Sequence, residues 1–345
     1  MSRRKVFQAL VATVVALCLL VFSGLLSAQG PKELPFERVK EVQERHTDWL
    51  MTLPGVVGTA ISEDEGAQRI ILVLVEHGAV AGIPPQLEGV LMRPLLTGKI
   101  YALQGKGKPG GGSEPSPTSQ WERPVPIGVS TGNANENSAG TIGCRVRGTA
   151  GKVYALSNNH VYARENKAAI GEEVLQPGRY DGGRPTVDHL GNLSDYVEIV
   201  FSTSAENTVD AAIALTTTGL LRTDTPLNGY GTPNSTTAAA VLNMKVQKYG
   251  RTTALTKGTI TGVNATLNVG YSSGTARFIK QIIVYSQRSP FIKAGDSGSL
   301  LVTDSSDKFT VGLLFAGDSS GKYGIANPIG EVLDAFRVSI DSRTP

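Results

Sequence analysis

The chain contains only two cysteines among its 345 residues. Cys18 lies within an apolar N-terminal segment, so Cys144 has no partner for an internal disulfide in the rest of the chain. Aromatic residues are also sparse at 6%, whereas glycines number 40. This composition favours an all-β protein with many short turns over a helical one. A body of about 300 residues buries enough apolar surface to fold without disulfides.

Excess charge of either sign is also missing. The formal net charge of +3 comes from Arg3, Arg4 and Lys5, because without them 30 basic residues balance 30 acidic ones. A neutral remainder gives no electrostatic reason to expect nucleic acid or an anionic membrane as a partner. Histidines and cysteines do not recur at metal-ligand spacing, so we expect neither a metal nor an organic cofactor.

The three basic residues precede an apolar run from about residue 9 to residue 28. This pattern predicts an export signal and a secreted, periplasmic or cell-surface location. Ala28 suits the residue before a cleavage site, but Leu26 is larger than the small residue usually found there. The run is also long enough, at about 20 residues, to span a bilayer. Residues 1–28 are therefore either a cleaved signal peptide or an uncleaved anchor, which would be the sole membrane contact.

From residue 123 onward, short apolar runs alternate with Gly, Asn, Asp and Ser. Even spacing with little helical periodicity predicts two antiparallel β-barrels, over about residues 125–218 and 219–340. Residues 329–336 have helical spacing and predict a C-terminal helix. The predicted strands are residues 140–147, 152–157, 197–201, 211–215, 241–249, 258–263, 277–285, 299–303 and 309–315.

Three residues are candidates for catalysis. His160 follows an apolar strand, Asp210 opens another, and Ser297 lies in a Gly-Asp-Ser-Gly sequence. Glycines on both sides of a serine allow a tight loop to aim several backbone N–H groups at one point, as an oxyanion hole requires. We expect the N–H groups of Gly295 and Ser297 to form that hole.

Other residues compete for these roles. Asp188 and Asp195 are the alternatives for the acidic residue. Of the four histidines, His46 and His77 precede the barrel region, and His189 lacks a preceding apolar strand. We therefore expect His189 in a loop and not at a catalytic site.

The order His, Asp, Ser excludes the subtilisin and α/β-hydrolase orders. With Ser157-Asn158-Asn159-His160 and Gly295-Asp296-Ser297-Gly298, the chain resembles chymotrypsin- or trypsin-like serine proteases over about residues 125–340. The segment from Gly250-Arg-Thr-Thr to Gly258-Thr-Ile260 is similar to a strand pair of bacterial α-lytic and streptogrisin-type proteases, and to narrow-leaf-type trypsin-like proteins. The resemblance implies two six-stranded barrels, with Ser297 as nucleophile, His160 as base and Asp210 orienting the imidazole.

The resemblance also implies a substrate pocket. Phe291, six residues before the nucleophile, would lie at its base, and Phe315, Ala316 and Gly317 would form its wall. Such a pocket predicts cleavage after medium-sized or aromatic apolar residues. Asp318 is the alternative determinant, and it would select Lys or Arg instead.

Residues 30–103 precede this region and predict a small α/β domain. A helix over 35–53 is followed by strands over 55–62, 69–76 and 90–103, with a turn at 83–87. Residues 104–122, rich in Gly, Ser and Pro, predict a linker. The order resembles small domains that precede several bacterial secreted proteases. Two roles stay open: a pro-domain that assists folding or covers the cleft, or a simple adaptor.

Together these features predict an exported serine endopeptidase acting on peptide or protein substrates. A catalytically silent protease-fold module that binds peptides is the alternative from another class. An esterase acting on small substrates is a third possibility that the same three residues permit.

Overall fold

The computed structural model describes residues 34–78, 80–103 and 115–342. The predicted signal, residues 1–28, and residues 104–114 of the predicted linker lie outside this part of the chain. Residues Pro35–Pro345 form one compact unit. Within the described ranges, the helices are all too short or too polar to cross a membrane.

Helices contribute little to the described part of the chain. They are α1 (Phe36–Leu50), α2 (Asn159–Tyr162) and α3 (Ile329–Phe336), with short 3-10 turns at Thr149–Gly151 and Arg179–Asp181. The strands are β1 (Val56–Glu63), β2 (Arg69–Val75), β3 (Gln86–Leu87), β4 (Val90–Leu96), β5 (Ile100–Ala102), β6 (Ser130–Asn133), β7 (Gly140–Thr141), β8 (Cys144–Arg147), β9 (Val153–Ser157), β10 (Glu173–Leu175), β11 (His189–Tyr196), β12 (Ala212–Thr216), β13 (Lys245–Gly250), β14 (Ala254–Gly270), β15 (Thr275–Tyr285), β16 (Leu300–Thr303), β17 (Thr310–Asp318), β18 (Tyr323–Pro328) and β19 (Ser339–Ile340).

The first sheet has eight strands in the order β19, β8, β9, β12, β11, β10, β6, β7. Cys144 lies on β8 with no exposed surface, in a core with Leu156 and Ala214. Burial raises the pKa of the Cys144 thiol. The residue is therefore a buried and unreactive part of the core.

The second sheet has eleven strands, and six of them close into a barrel. They follow the order β13, β16, β17, β18, β15, β14, and β14 also pairs with β13. Helix α3 follows β18, and Ile329 and Val332 of α3 pack in one core with Leu313 of β17. The predicted all-β architecture with a C-terminal helix is confirmed. The second sheet exceeds the predicted six strands because β1 to β5 join it, and the first has eight strands, with β19 at one edge.

The N-terminal elements continue the second sheet. β1 pairs antiparallel with β14 and with β2, and β2 pairs parallel with β4. Gln43 of α1 donates to Thr59 Oγ1 at 3.0 Å and to the Asn264 carbonyl oxygen at 2.9 Å. Asn264 Nδ2 returns a bond to Gln43 Oε1 at 2.9 Å. The α/β pattern is thus present and is hydrogen-bonded to β14, while its standing as a separate domain stays a prediction.

One predicted strand is wrong. Residues 197–201 have no regular structure, and the neighbouring strand is His189–Tyr196 instead. Side-chain amides satisfy this backbone: Asn159 Nδ2 donates to the Val197 carbonyl oxygen at 2.7 Å. Asn166 donates to the Ile199 carbonyl at 2.8 Å and accepts from the Ile199 N–H at 3.0 Å. Because side chains can replace ladder hydrogen bonds, apolar periodicity alone does not fix a strand.

Candidate active site

Strand pairing brings His160 and Asp210 together. β9 ends at Ser157, three residues before His160, and Ser157 opposes Ala212 of β12, two residues after Asp210. His160 Nδ1 lies 2.5 Å from Asp210 Oδ2, and the His160 N–H donates to Asp210 Oδ1 at 3.1 Å. Both side chains are fully buried. A carboxylate in this position fixes which imidazole nitrogen carries the proton.

Tyr271 adds a third contact to Asp210 that the sequence reasoning missed. It lies at the tip of the β14–β15 hairpin, and its hydroxyl donates to Asp210 Oδ2 at 2.9 Å. Burial, together with the nearby Asp210 charge, raises the pKa of Tyr271 well above its ordinary value. The hydroxyl is therefore a stable donor at neutral pH. Its Tyr-Ser-Ser-Gly sequence resembles an ordinary turn, so nothing local identifies it.

Glu165 holds the tip of that hairpin. Its carboxylate accepts from the Ser272 N–H at 3.1 Å, the Ser272 hydroxyl at 2.7 Å and the Ser273 N–H at 2.8 Å. Burial favours the neutral acid, but the hydrogen bonds from the two serines outweigh it and lower the pKa of Glu165. The charged carboxylate thus anchors the loop that carries Tyr271.

The loop around Ser297 requires glycine on both sides. Gly295 and Gly298 have φ values of +97° and +93°, a region that other L-residues rarely adopt. A Cβ at Gly298 would lie 2.2 Å from the Thr141 carbonyl oxygen and 2.3 Å from Ser157 Oγ. The Ser297 hydroxyl donates over 3.1 Å to the Phe315 carbonyl oxygen. The tight turn therefore requires glycine at both ends of the Gly-Asp-Ser-Gly sequence.

Thr141 joins the Ser297 loop to the first sheet. Its N–H donates to the Ser297 carbonyl oxygen at 2.8 Å, and its hydroxyl donates to the Gly295 carbonyl at 2.8 Å. Ser157, at the end of β9, donates to the Thr141 carbonyl oxygen at 2.8 Å. The strand that leads to His160 and the loop that carries Ser297 therefore share one anchor.

The Asp296 carboxylate accepts hydrogen bonds from the Gly-Arg-Thr-Thr segment. The N–H groups of Thr252 and Thr253 donate to Asp296 Oδ1 at 2.8 and 3.1 Å, and Thr253 Oγ1 donates to Oδ2 at 2.7 Å. Lys248 Nζ lies 3.4 Å from Asp296 Oδ2, and neither side chain is exposed. Burial lowers the pKa of Lys248 despite the opposite charge of Asp296. Lys248 thus supplies the countercharge of Asp296, and Thr252 and Thr253 supply its hydrogen bonds.

The alternative acids lie in other surroundings. Asp188 accepts from Arg184 Nε at 3.1 Å and from Gln120. Asp195 is exposed on β11, where it accepts from the Tyr196 N–H at 2.8 Å. His189 is the first residue of β11, so its predicted loop position is wrong.

Of the four residues predicted to form the substrate pocket, two lie with their rings in the core and the other two lie on β17. The Phe315 ring packs on Phe278 at a centroid distance of 4.8 Å, so Phe315 presents its carbonyl to Ser297 and its ring to the core. Phe291 is fully buried. Gly317 is closely packed: a Cβ there would lie 2.8 Å from Ile292 Cγ2 and 3.2 Å from Leu103 Cδ1. Ala316 and Gly317 lie on β17, which pairs antiparallel with β5.

Asp318, the residue that would select Lys or Arg in a substrate, caps a turn. It accepts from the Tyr323 N–H at 2.8 Å, the Ser320 N–H at 3.0 Å and the Ser320 hydroxyl. Its side chain is therefore committed to local structure.

Leu103, the residue that follows β5, lies beside Ser297. The Gly295 N–H donates to the Leu103 carbonyl oxygen at 2.9 Å, and Ser297 Oγ lies 3.1 Å from the same oxygen. Gly295 thus donates to a peptide carbonyl beside the serine hydroxyl. Within the described residues, His, Cys, Asp and Glu form no group of three or more suited to a metal ion.

The chain matches the model of Peptidase family S64 over residues 192–340. That range includes Asp210 and Ser297 and begins after His160. No curated protein matches the chain. The similarity therefore supports a peptidase and covers the second barrel with part of the first.

Three solved structures illustrate the likeness of the fold. A glutamic acid-specific serine protease that uses a histidine triad in substrate binding is 21% identical, with 63% of this chain and 100% of that chain covered and a TM-score of 0.45. Thermobifida fusca protease A is 18% identical over 64% and 100%, with a TM-score of 0.43. Cellulomonas bogoriensis chymotrypsin is 20% identical over 64% and 99%, with a TM-score of 0.42. The two sheets and the closed six-stranded barrel give this chain the chymotrypsin-like fold.

Proposed function

We propose that the protein is a serine endopeptidase in which Ser297 is the nucleophile, His160 the general base and Asp210 the residue that orients the imidazole. The observation that carries the proposal is the Ser297 loop: a hydroxyl lies beside a backbone N–H that donates to a peptide carbonyl. The buried His160–Asp210 pair supports the acid–base role.

Each residue has one task in the reaction. Ser297 Oγ attacks the substrate carbonyl carbon, and His160 accepts the serine proton and returns it to the departing amine. The Asp210 carboxylate stabilises the imidazolium that forms in between. The Gly295 N–H, and by our proposal the Ser297 N–H, donate to the oxygen that becomes negative. Water then hydrolyses the acyl-enzyme through the same residues.

The preferred substrate has an apolar residue before the cleaved bond. The apolar side chains of Ile292 and Leu103 both lie against Gly317: a Cβ at Gly317 would be 2.8 Å from Ile292 Cγ2 and 3.2 Å from Leu103 Cδ1. The carboxylate that could pair with a basic substrate residue, Asp318, accepts hydrogen bonds within its own turn. An apolar pocket of this kind discriminates by about 1–3 kcal/mol per methylene.

A peptide-library digest tests the function and the specificity together. We expect cleavage after Leu, Met or Phe, with kcat/KM at least about 100-fold higher than for Lys or Arg, since a charge is costly to bury without a partner. Dominant cleavage after Lys or Arg would contradict the pocket. Hydrolysis of small esters with no peptide cleavage would indicate an esterase, and peptide binding without turnover would indicate a silent module.

The location and the N-terminal domain are further parts of this proposal. The basic residues and the apolar run over residues 9–28 support export, with the protease outside the cytoplasm. Residues 30–103 act as a pro-domain, supported by the pairing of β1 with β14 and by Leu103 at the cleft. Normal yields of fully active enzyme from residues 120–345 alone would contradict a folding role.

A further inference from the structure

The Gly295 N–H, the proposed oxyanion donor, belongs to a tight turn. The Asp296 N–H donates to the Lys293 carbonyl oxygen at 2.9 Å, which closes a β-turn over residues 293–296. Gly295 is the third residue of this turn, and its φ of +97° is the conformation that a type II turn requires there. The peptide that joins Ala294 to Gly295 is therefore the central peptide of the turn.

A half-turn of this central peptide would redirect the donor. Type I and type II turns differ in the orientation of the central peptide, and in type I the third residue has a φ of about −90°. A half-turn would take the φ of Gly295 from +97° to about −83°, which glycine adopts as readily. Only the first orientation directs the Gly295 N–H to the carbonyl oxygen beside Ser297. Since the glycine backbone permits both turns, contacts around the turn must select one.

The Thr252 hydroxyl makes the selecting contact. Thr252 Oγ1 donates to the Ala294 carbonyl oxygen at 2.6 Å. Because the C=O and N–H groups of a trans peptide point in opposite directions, this bond directs the Gly295 N–H away from Thr252. After a half-turn, the hydroxyl would lose its acceptor and would face the Gly295 N–H instead. The bond therefore favours the orientation seen in the structure.

Arg251 fixes the direction in which that hydroxyl donates. Its Nη1 donates to Thr252 Oγ1 at 3.0 Å. A guanidinium only donates, so the single hydroxyl proton of Thr252 is directed to the Ala294 carbonyl. The Arg251 side chain is itself fully buried, and its Nε donates to Asp181 Oδ2 at 2.8 Å. The hydroxyl is thus oriented by a side chain that is held in place.

A second threonine holds the next carbonyl of the turn in the same way. Thr141 Oγ1 donates to the Gly295 carbonyl oxygen at 2.8 Å and accepts from the Arg251 N–H at 3.0 Å. Two consecutive carbonyls are therefore each held by a threonine hydroxyl that takes a hydrogen bond from Arg251. The packing is close: a Cβ at Gly295 would lie 2.6 Å from Thr252 Oγ1 and 2.8 Å from Arg251 Cδ.

We propose that Thr252 is a positioning residue that keeps the Gly295 N–H directed at the oxyanion, with Arg251 orienting the Thr252 hydroxyl. The inference rests on the proposed function. Thr252 acts through the backbone of Gly295 and not on the substrate. Its loss should therefore weaken an interaction that matters when the substrate oxygen becomes negative, and should lower kcat without changing KM.

Thr252→Val tests the proposal, because it removes the hydroxyl and keeps the shape of the side chain. All variants are full chains that also carry Leu103→Glu, whose charged side chain should displace residue 103 from Ser297. On a peptide with leucine before the cleaved bond, Thr252→Val should lower kcat about 10- to 100-fold and leave KM within about 2-fold, since loss of a whole oxyanion donor costs about 10²–10³-fold. Thr252→Ser keeps the hydroxyl and should restore kcat to within about 3-fold.

A peptide aldehyde gives a readout that a general loss of structure would not move. Its adduct with Ser297 carries an oxyanion, so Thr252→Val should weaken aldehyde binding by about the factor lost in kcat and leave binding of the matching peptide amide unchanged. Thr216→Val is the matched control. Thr216 is 6% exposed, as is Thr252, and its hydroxyl donates to the Leu190 carbonyl oxygen at 2.6 Å in the first sheet. This control should keep the kcat and the aldehyde affinity of the Leu103→Glu chain.

The outcomes separate this inference from the proposed function. Unchanged kcat in folded Thr252→Val, or a loss that Thr252→Ser does not restore, would overturn the positioning role and leave the peptidase intact. Equal weakening of aldehyde and amide binding would also overturn it. If Thr252→Val does not fold, the smaller Thr252→Ala replaces it with the same expected losses. A folded Leu103→Glu chain that neither binds the aldehyde nor hydrolyses peptides would overturn the proposed function itself.

Discussion

The Tyr271 hydroxyl donates a hydrogen bond to Asp210 Oδ2 at 2.9 Å. Tyr271 lies on a hairpin of the eleven-stranded sheet, whereas Asp210 precedes β12 of the eight-stranded sheet. The bond therefore joins the two sheets at the carboxylate that faces His160. Its removal would leave a buried carboxylate with one donor fewer on the oxygen nearest the imidazole.

Replacement of Tyr271 by Phe should lower kcat about 10-fold with little change in KM, since a hydrogen bond to a charged group contributes about 1.5–3 kcal/mol. The remaining hydrogen bonds from His160 keep Asp210 in place, so the loss is partial. Steady-state kinetics on an apolar-P1 peptide measure it. Tyr285→Phe, on the neighbouring strand β15, is the control; an equal loss in both variants would contradict a specific role for Tyr271.

Asp210→Asn should reduce kcat about 10⁴-fold at neutral pH, because an amide stabilises the wrong tautomer of His160 and does not offset the imidazolium charge. Thermal unfolding of the variant checks that the fold is retained. Asp195→Asn, at an exposed position, should stay near parental activity. A large loss of kcat in Asp195→Asn or Asp188→Asn, with none in Asp210→Asn, would mean that Asp210 is not the residue that orients His160.

Lys248→Met should destabilise the protein by about 3–5 kcal/mol, because it leaves the Asp296 charge buried without its countercharge. The Ser297 loop should lose order together with activity, since Asp296 is adjacent in the chain. Denaturant titration gives the free energy of unfolding. Lys257→Met removes an exposed pair with Asp304 and should lower the free energy of unfolding by less than about 1 kcal/mol. Similar losses of stability in the two variants would contradict a stabilising role for the buried Lys248–Asp296 pair.

The Glu165 carboxylate should make stability depend on pH. Its folded-state pKa is lowered, so its stabilisation is present above the unfolded value near 4.5 and is lost as the pH falls below it. Glu165→Gln should therefore cost about 1–3 kcal/mol at pH 7, with the difference from the parent shrinking in acid. Unfolding curves from pH 7 to pH 3 measure this. Glu41→Gln, exposed on α1, should show little difference; a Glu165→Gln cost that grows in acid would reverse the predicted sign.

Local patterns in the sequence were sufficient for most of the fold. Apolar periodicity predicts α1 and α3 to within a few residues, and the Gly-Asp-Ser-Gly sequence predicts the turn because only glycine tolerates φ near +97° and +93° there. The strand predicted at 197–201 failed because Asn159 and Asn166 satisfy that backbone from a distant segment. Such replacement depends on tertiary contacts, which periodicity does not encode.

The residues of the site that belong to a sequence motif were predictable. Those that tertiary structure alone brings to the site were not. His160 follows one recognisable strand and Asp210 precedes another, and their pairing results from the register of β9 with β12. Tyr271 and Leu103 carry no motif. They reach Asp210 and Ser297 because β14 is long and β5 pairs with β17, which are consequences of topology.

Active-site titration with a fluorophosphonate, followed by peptide mapping, tests the central claim most directly. On Leu103→Glu, whose charged side chain should displace residue 103 from Ser297, we predict one equivalent of label, located on Ser297, with loss of peptide hydrolysis in proportion. Ser297→Ala should take up no label while keeping the parental fold, and Ser289→Ala, at an exposed serine, should label as the parent does. Absence of labelling at Ser297 in folded protein that is open to the probe, or equal peptide hydrolysis by Ser297→Ala, would contradict the account.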